Sequence, residues 1–138
     1  MKKLLGFAYG SLVYLLFLGV FTYLILFVGD LWVPKSIDAG GSTFLSLSTA
    51  IAANVGLLAL FGLQHSVMAR QGFKRWWTRV VPWHLERSTY VLAASLVLAV
   101  VMWGWRPIPE TIWSVEDPLW AGLLRGLFWT GWGIVLLS

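Results

Sequence analysis

Four long apolar segments dominate the pattern of hydrophobic and polar positions along the chain. They run from about residue 4 to 28, 44 to 63, 88 to 105 and 119 to 137, and Arg125 is the only charged residue inside them. A helix that crosses the hydrocarbon core needs about 20 largely apolar residues, and its backbone must satisfy its own hydrogen bonds. The pattern therefore predicts an all-α integral membrane bundle of about four transmembrane helices, folded as a single domain.

A different periodicity lies between the second and third apolar segments. Apolar side chains recur there at the spacing of one helical face, at Phe73, Trp76, Trp77, Val80 and Val81. Basic and polar residues occupy the opposite face, and Pro82 interrupts the pattern. Such a stripe is typical of an amphipathic helix that lies in the membrane interface. We expect this short interfacial helix over about residues 70–81.

Two prolines mark expected helix boundaries. Asp117 followed by Pro118 is a typical N-cap and first helical residue, which places a helix start there. Arg106 precedes Pro107, and a residue before proline avoids the helical region. The third apolar segment should therefore end close to residue 105.

Composition strengthens the membrane interpretation. The chain has 138 residues, of which 59% are hydrophobic and only 12% are charged. Soluble domains are about 45–50% apolar and about 25% charged, and a domain of this size could not bury the excess. The chain has no Cys, which excludes disulfides, a thiolate nucleophile and cysteine-based metal sites.

Basic residues alternate along the connections between the apolar segments. They are frequent before the first segment, at Lys2 and Lys3, and again over residues 70–87, whereas each of the two other connections has one basic residue. The positive-inside rule then places both termini and the central connection in the cytoplasm. We expect a protein of the bacterial inner membrane with membrane lipid as a partner and no nucleic-acid partner.

Polar chemistry gathers around the central connection. Gln64 and His65 follow the second apolar segment, and Glu86, Arg87 and Tyr90 lead into the third. A histidine and a carboxylate at a membrane surface could perform acid–base chemistry. Simpler explanations stay open, because His65 could cap a helix C-terminus and the two charged residues could pair with neighbours.

A metal site is not expected. The two histidines, His65 and His84, are not spaced four apart on a helix, and no third ligand stands out.

The residues of this region resemble those of a known enzyme family. The stretch "GLQHSVMARQGFKRWWTRVVPWHLERSTYVL", followed by "WGWRPIP", is similar to bacterial methanethiol S-methyltransferases. These are integral membrane enzymes related to isoprenylcysteine carboxyl methyltransferases and, more loosely, to NnrU-like membrane proteins. The resemblance implies methyl transfer from S-adenosylmethionine to methanethiol, which gives dimethyl sulfide.

The resemblance also implies a set of site residues. It assigns catalysis to His65, Glu86 and Arg87, with His65 as the candidate base that activates the thiol and Arg87 as a stabiliser of the anion. It assigns substrate or cofactor binding to Gln64, Lys74, Trp77 and Tyr90, and aromatic faces suit the positive sulfonium. In the related enzymes the cofactor pocket is built mainly from the C-terminal half. We therefore expect this chain to be an incomplete part of such an enzyme, with most of that pocket beyond Ser138.

A second interpretation is a non-catalytic four-helix membrane protein that serves assembly or transport. Transporters tend to show interrupted helices or internal repeats near the middle of the membrane, and neither is evident. Asn54 is the strongly polar residue deep in the second segment. An oligomer of identical chains also stays open.

Overall fold

The computed structural model describes residues 2–41, 46–108, 110–111 and 113–138. Over this part of the chain the fold is all-α, with no strand, which confirms the predicted class. The helices in chain order are α1 (Lys2–Val28), α2 (Leu47–Ala69), α3 (Gln71–Trp77), α4 (Trp83–Gly104) and α5 (Pro118–Leu137).

Four of these helices, α1, α2, α4 and α5, are long and apolar enough to cross a membrane. At most 17% of the most apolar window in each helix is buried inside the structure. Large apolar side chains such as Leu4, Phe7 and Leu127 are more than two-thirds exposed. Because apolar surface of this extent needs an apolar surrounding, the chain is an integral membrane protein.

The chain divides into two compact units, Met1–Pro107 and Ile108–Ser138. In the first unit α4 packs against both α1 and α2. Helices α1 and α4 run parallel, because contacts between them advance in the same order along both. The Tyr9 hydroxyl lies 3.1 Å from the Thr89 hydroxyl, and further along the Phe27 and Trp105 rings meet edge to face at 6.2 Å.

Helices α2 and α4 run antiparallel. His65, late in α2, contacts Tyr90, early in α4. Asn54, early in α2, contacts Arg106, just after α4. The start of α1, the end of α2, α3 and the start of α4 therefore lie together, and we call this the α3 end. We call the opposite end of the unit the loop end.

The connection between α1 and α2 is folded back on itself at the loop end. Ser36 is fully buried; its hydroxyl donates to the Asp30 carboxylate and accepts from the Ala39 backbone N–H at 3.0 Å. Asp30 and Trp32 adopt positive φ angles of 50° and 49°, which non-glycine residues rarely do. The buried hydroxyl thus holds a turn that local backbone preferences alone would not favour.

Two side chains tie this connection to the helices. The Tyr23 hydroxyl on α1 donates to the Lys35 carbonyl at 2.9 Å. The Trp105 indole N–H donates to the Ile37 carbonyl at 3.1 Å. The loop end is therefore held by hydrogen bonds as well as by apolar contact.

The helix boundaries near the α3 end differ from those expected. Helix α2 continues to Ala69 rather than ending near residue 63, and α4 begins at Trp83 rather than near residue 88. Polar side chains make the sequence less hydrophobic at these helix ends, but they do not interrupt the helical hydrogen bonds of the backbone. Pro82 precedes α4, where its fixed φ and missing N–H are tolerated. The expected start of α2, at residue 44, lies outside the described residues.

The predicted amphipathic helix exists but is shorter than expected, covering Gln71–Trp77 instead of 70–81. The Thr78 hydroxyl donates to the Lys74 carbonyl at 2.9 Å, and the backbone then turns, with Val80 and Val81 both donating to the Trp77 carbonyl. Pro82 disfavours a helical conformation in the residue before it, so the helix cannot continue into α4.

The second unit contains α5. Asp117 caps it as the sequence predicts, accepting from the backbone N–H groups of Leu119 and Trp120 at 2.9 Å and 3.2 Å. Pro118 occupies the first turn.

Candidate functional site

The α3 end brings His65 and Tyr90 into direct contact. The Tyr90 hydroxyl lies 3.0 Å from His65 Nδ1 and 3.1 Å from Nε2. The Phe61 ring stacks on the imidazole from one turn earlier in α2, with centroids 5.5 Å apart and an interplanar angle of 28°. His65 itself is exposed. The histidine is thus held between two aromatic rings while its ring stays accessible.

This contact suits an imidazole that changes its protonation state. A hydroxyl can donate to an unprotonated ring nitrogen and accept from a protonated one. Tyr90 can therefore keep a hydrogen bond to His65 in both states. Because α2 runs on to Ala69, His65 also lies before the last turn of its helix, so capping of the C-terminus does not account for its position.

A salt bridge joins α3 to the start of α4. Lys74 Nζ lies 3.7 Å from Glu86 Oε1, and the two side chains are 45% and 20% exposed. Glu86 is in the first turn of α4, where the helix dipole favours a negative charge. The interpretation that Glu86 pairs with a neighbour is therefore confirmed, and the pair fastens α3 to the helix that carries Tyr90.

Two polar atoms near α3, Gln64 Oε1 and Trp77 Nε1, are buried without a hydrogen-bond partner among the described residues. The amide nitrogen of Gln64 has a partner in the Met68 sulfur at 2.9 Å. The Trp77 ring stacks on Phe73 at 5.7 Å. Leaving a buried donor or acceptor unpaired costs about 1–3 kcal/mol, so such atoms call for an explanation.

The remaining candidates are placed differently. The Arg87 side chain is exposed and makes no ion pair or hydrogen bond with another described residue. His84 faces α1, where a Cβ added at Gly6 would lie 3.6 Å from its ring. The two histidines therefore have separate neighbours. In the part of the chain that the structure describes, no group of three or more His, Asp or Glu side chains could hold a metal ion.

Sequence reasoning missed Phe61, which supports the His65 ring. The sequence spacing predicts this contact, because Phe61 and His65 are four residues apart and side chains at that spacing meet on one helix face.

Comparison with known proteins shows close relatives along the whole chain. The chain is 50% identical over 138 residues to the methanethiol S-methyltransferase of Mycobacterium tuberculosis (strain ATCC 25618 / H37Rv), covering 100% of this chain and 56% of the relative. It is 50% identical over 136 residues to methanethiol S-methyltransferase 1 of Bradyrhizobium diazoefficiens, covering 99% of this chain and 47% of the relative. It is 48% identical over 136 residues to the methanethiol S-methyltransferase of Pseudomonas sp. (strain GM41(2012)), covering 99% of this chain and 52% of the relative.

These comparisons confirm the resemblance that the sequence indicated. The chain spans about half the length of the curated relatives that it matches. No protein-family model and no solved structure matches it.

Proposed function

We propose that the protein containing this chain methylates methanethiol to dimethyl sulfide, with S-adenosylmethionine as the methyl donor, and that the α3 end forms part of its active site. Similarity along this whole chain to about half the length of proteins named methanethiol S-methyltransferase supports the reaction. The observation that carries the placement is the hydrogen bond between His65 and Tyr90, which joins α2 and α4 beside α3.

His65 is the proposed general base. A thiol attacks as its thiolate, so its proton must leave before or during methyl transfer. One ring nitrogen of His65 would take that proton, which leaves the thiol sulfur as the nucleophile toward the methyl group that bound S-adenosylmethionine would supply. Tyr90 is then a positioning residue, because its hydroxyl can hold the imidazole before and after proton transfer.

The described residues fit the reacting end of S-adenosylmethionine, which when bound supplies an electrophilic methyl group on a positively charged sulfur. The rings of Trp77 and Tyr90 offer faces that attract a cation. The unpaired Gln64 oxygen and Trp77 N–H offer one acceptor and one donor for polar groups of the cofactor. Following the related enzymes, we place most of the cofactor pocket outside these residues.

The charged residues at the α3 end have supporting roles in this proposal. Arg87, exposed and free of a carboxylate partner in the described structure, is available to stabilise the thiolate. The Lys74–Glu86 pair links α3, which carries Trp77 and packs against α2, to the start of α4.

The α3 end is proposed to face the cytoplasm of a bacterium, as the alternation of basic residues indicates. A small apolar thiol dissolves in lipid and can approach from the bilayer, while the polar cofactor approaches from the water. Both reactants can therefore reach a site at the membrane interface without being transported across the membrane. Holding the two reactants together supplies much of the increase in reaction rate.

The test replaces His65 in the protein expressed from its complete gene. For His65→Ala, methanethiol methylation in membrane preparations should fall by roughly 10²–10⁴-fold at neutral pH, the usual contribution of a general base. The loss should shrink as pH rises, because the thiol then ionises unaided. The matched control is His84→Ala, which removes the histidine that faces α1 and should retain near-normal rates.

A milder variant separates chemistry from packing. Tyr90→Phe keeps the ring but removes the hydroxyl, so turnover should fall while the aromatic stack and the folded yield remain. A correctly inserted His65→Ala protein with wild-type rates across the pH range would remove His65 from the chemistry.

A further inference from the structure

An apolar groove runs between α1 and α4 at the loop end, away from the proposed active site. Its volume is about 550 Å³, and α1 contributes Leu15, Leu16, Gly19 and Val20 to its wall. Ala99 and Met102 line it from α4. A Cβ added at Gly19 would have no atom within 4 Å, so the glycine leaves open space on the groove wall.

The groove has a cation at its loop end. Lys35 lines it and belongs to the connection between α1 and α2. Its ammonium donates to the Trp105 carbonyl at 3.0 Å, which uses one of its three N–H donors. Among the described residues it forms no ion pair with a carboxylate. Two donors and a positive charge are thus available at the loop end of an apolar groove.

Electrostatics around Lys35 favour an anion. Partial burial, and secondarily the positive charge of Arg106, lower the pKa of the Lys35 ammonium below its ordinary value of 10.5. Both causes disfavour the isolated cation, and a bound anion would offset them through its opposite charge. The charge distribution at this end of the groove is therefore complementary to a phosphate.

We propose that this groove binds one acyl chain of an anionic phospholipid, with the lipid phosphate at Lys35. From Leu15 to Tyr23 the groove wall follows α1 for about 12 Å at 1.5 Å per residue. One leaflet of the hydrocarbon core is about 15 Å deep, half of its ~30 Å thickness. An acyl chain that starts at a headgroup beside Lys35 would therefore run along most of this length.

A lipid fits these observations better than a second copy of the chain or another helix. Either of those would have to align an acidic residue with Lys35 while it fills the groove, whereas a phospholipid carries its phosphate at the end of its acyl chains by its own structure. Trp103 also lines the groove and is 80% exposed, and tryptophan is enriched at the depth of lipid headgroups.

The experiment measures lipid binding by native mass spectrometry to the purified protein expressed from its complete gene. Phosphatidylglycerol is titrated into the detergent-solubilised protein, and phosphatidylcholine is titrated in parallel. The wild type should bind one phosphatidylglycerol more tightly than any later one and more tightly than phosphatidylcholine. Lys35→Gln should weaken that first binding about five-fold, the effect expected from one basic residue near an anionic lipid, and Lys35→Arg should restore it.

A second variant blocks the groove without touching the charge. Gly19→Leu places a side chain in the open space and should weaken the first binding at least as much as Lys35→Gln. The matched control is Gly56→Leu on α2. A Cβ at this position also meets nothing within 4 Å, but Gly56 does not line the groove. The charge control is Arg75→Gln on α3, which should leave the first binding unchanged.

Two outcomes would overturn the proposal. Wild-type phosphatidylglycerol binding in both Lys35→Gln and Gly19→Leu would show that the groove holds no lipid. A wild-type dimer that Gly19→Leu converts to monomers, with lipid binding unchanged, would assign the groove to a second copy of the chain.

Discussion

Asn54 offers the sharpest test of the helix arrangement, because it joins α2 to the end of α4 through two hydrogen bonds. Its side-chain N–H donates to the Arg106 carbonyl, and its side-chain oxygen accepts from the Arg106 backbone N–H, both at 2.8 Å. The asparagine is 5% exposed. Replacing it with leucine, which has the same number and branching of side-chain heavy atoms and suits the membrane, removes both bonds and leaves two backbone groups without these partners.

The expected loss follows from those two bonds. A typical hydrogen bond contributes a net 0.5–1.5 kcal/mol in water-soluble proteins, and polar contacts between membrane helices average about 0.6 kcal/mol. Two such bonds amount to about 1–3 kcal/mol. Asn54→Ala should cost less than Asn54→Leu, because the smaller side chain leaves room near the membrane surface for water to satisfy the Arg106 backbone.

The assay is the free energy of unfolding in mixed detergent micelles, titrated with sodium dodecyl sulfate and followed by tryptophan fluorescence. The matched control is Ser66→Ala, which removes an exposed polar group from the same helix. An Asn54→Leu protein as stable as the wild type would refute the pairing of α2 with the end of α4.

Three other predictions test orientation, depth and charge. A reporter that is active only outside the cytoplasm, fused after Ser138, should stay silent, because the alternating basic residues place that terminus inside; a strong signal would reverse the orientation. Spin labels at positions 77 and 75 should differ in lipid exposure, with the label replacing Trp77 deeper than the one replacing Arg75 if α3 lies in the interface; equal exposure to water would contradict this. The pKa of Lys35 is lower in the folded chain than its ordinary value of 10.5, so between these two pKa values the unfolded chain binds more protons than the folded chain. The free energy of unfolding of the wild type, relative to that of Lys35→Gln, should therefore rise with pH through this window. A difference that stays constant with pH would show that the pKa of the amine is not lowered.

The fold class was readable from the sequence because the physics of the bilayer leaves few choices. Twenty or so apolar residues without charge can only form a helix in lipid, so the four long helices follow from counting. The boundaries near α3 were harder to predict, since helical hydrogen bonding continues through polar residues where the apolar signal stops. Glu86 and Arg87 therefore lie in the first turns of α4, where a surface connection was expected.

The candidate site was predictable as a region but not as a set of contacts. Sequence pattern locates His65 and Tyr90 at the edges of neighbouring helices, but the rotation of each helix decides whether their side chains meet. That rotation depends on packing along the whole of α2 and α4, including the Asn54 bonds at the far end. The same limit applies to Lys35, whose partner is a backbone carbonyl that no sequence pattern identifies.

The two ends of the first unit are built in different ways, and the difference bears on function. At the loop end, Ser36, Asn54 and Trp105 satisfy backbone groups across the α1–α2 connection and α4. At the α3 end, the side-chain contacts between elements include a part-exposed salt bridge and an exposed His65–Tyr90 pair, and two buried polar atoms have no partner. Exposed pairs contribute little stability, about 0–1 kcal/mol. Stability at the loop end can therefore hold the helices in register, which leaves the residues of the α3 end free for the binding and proton transfer proposed above.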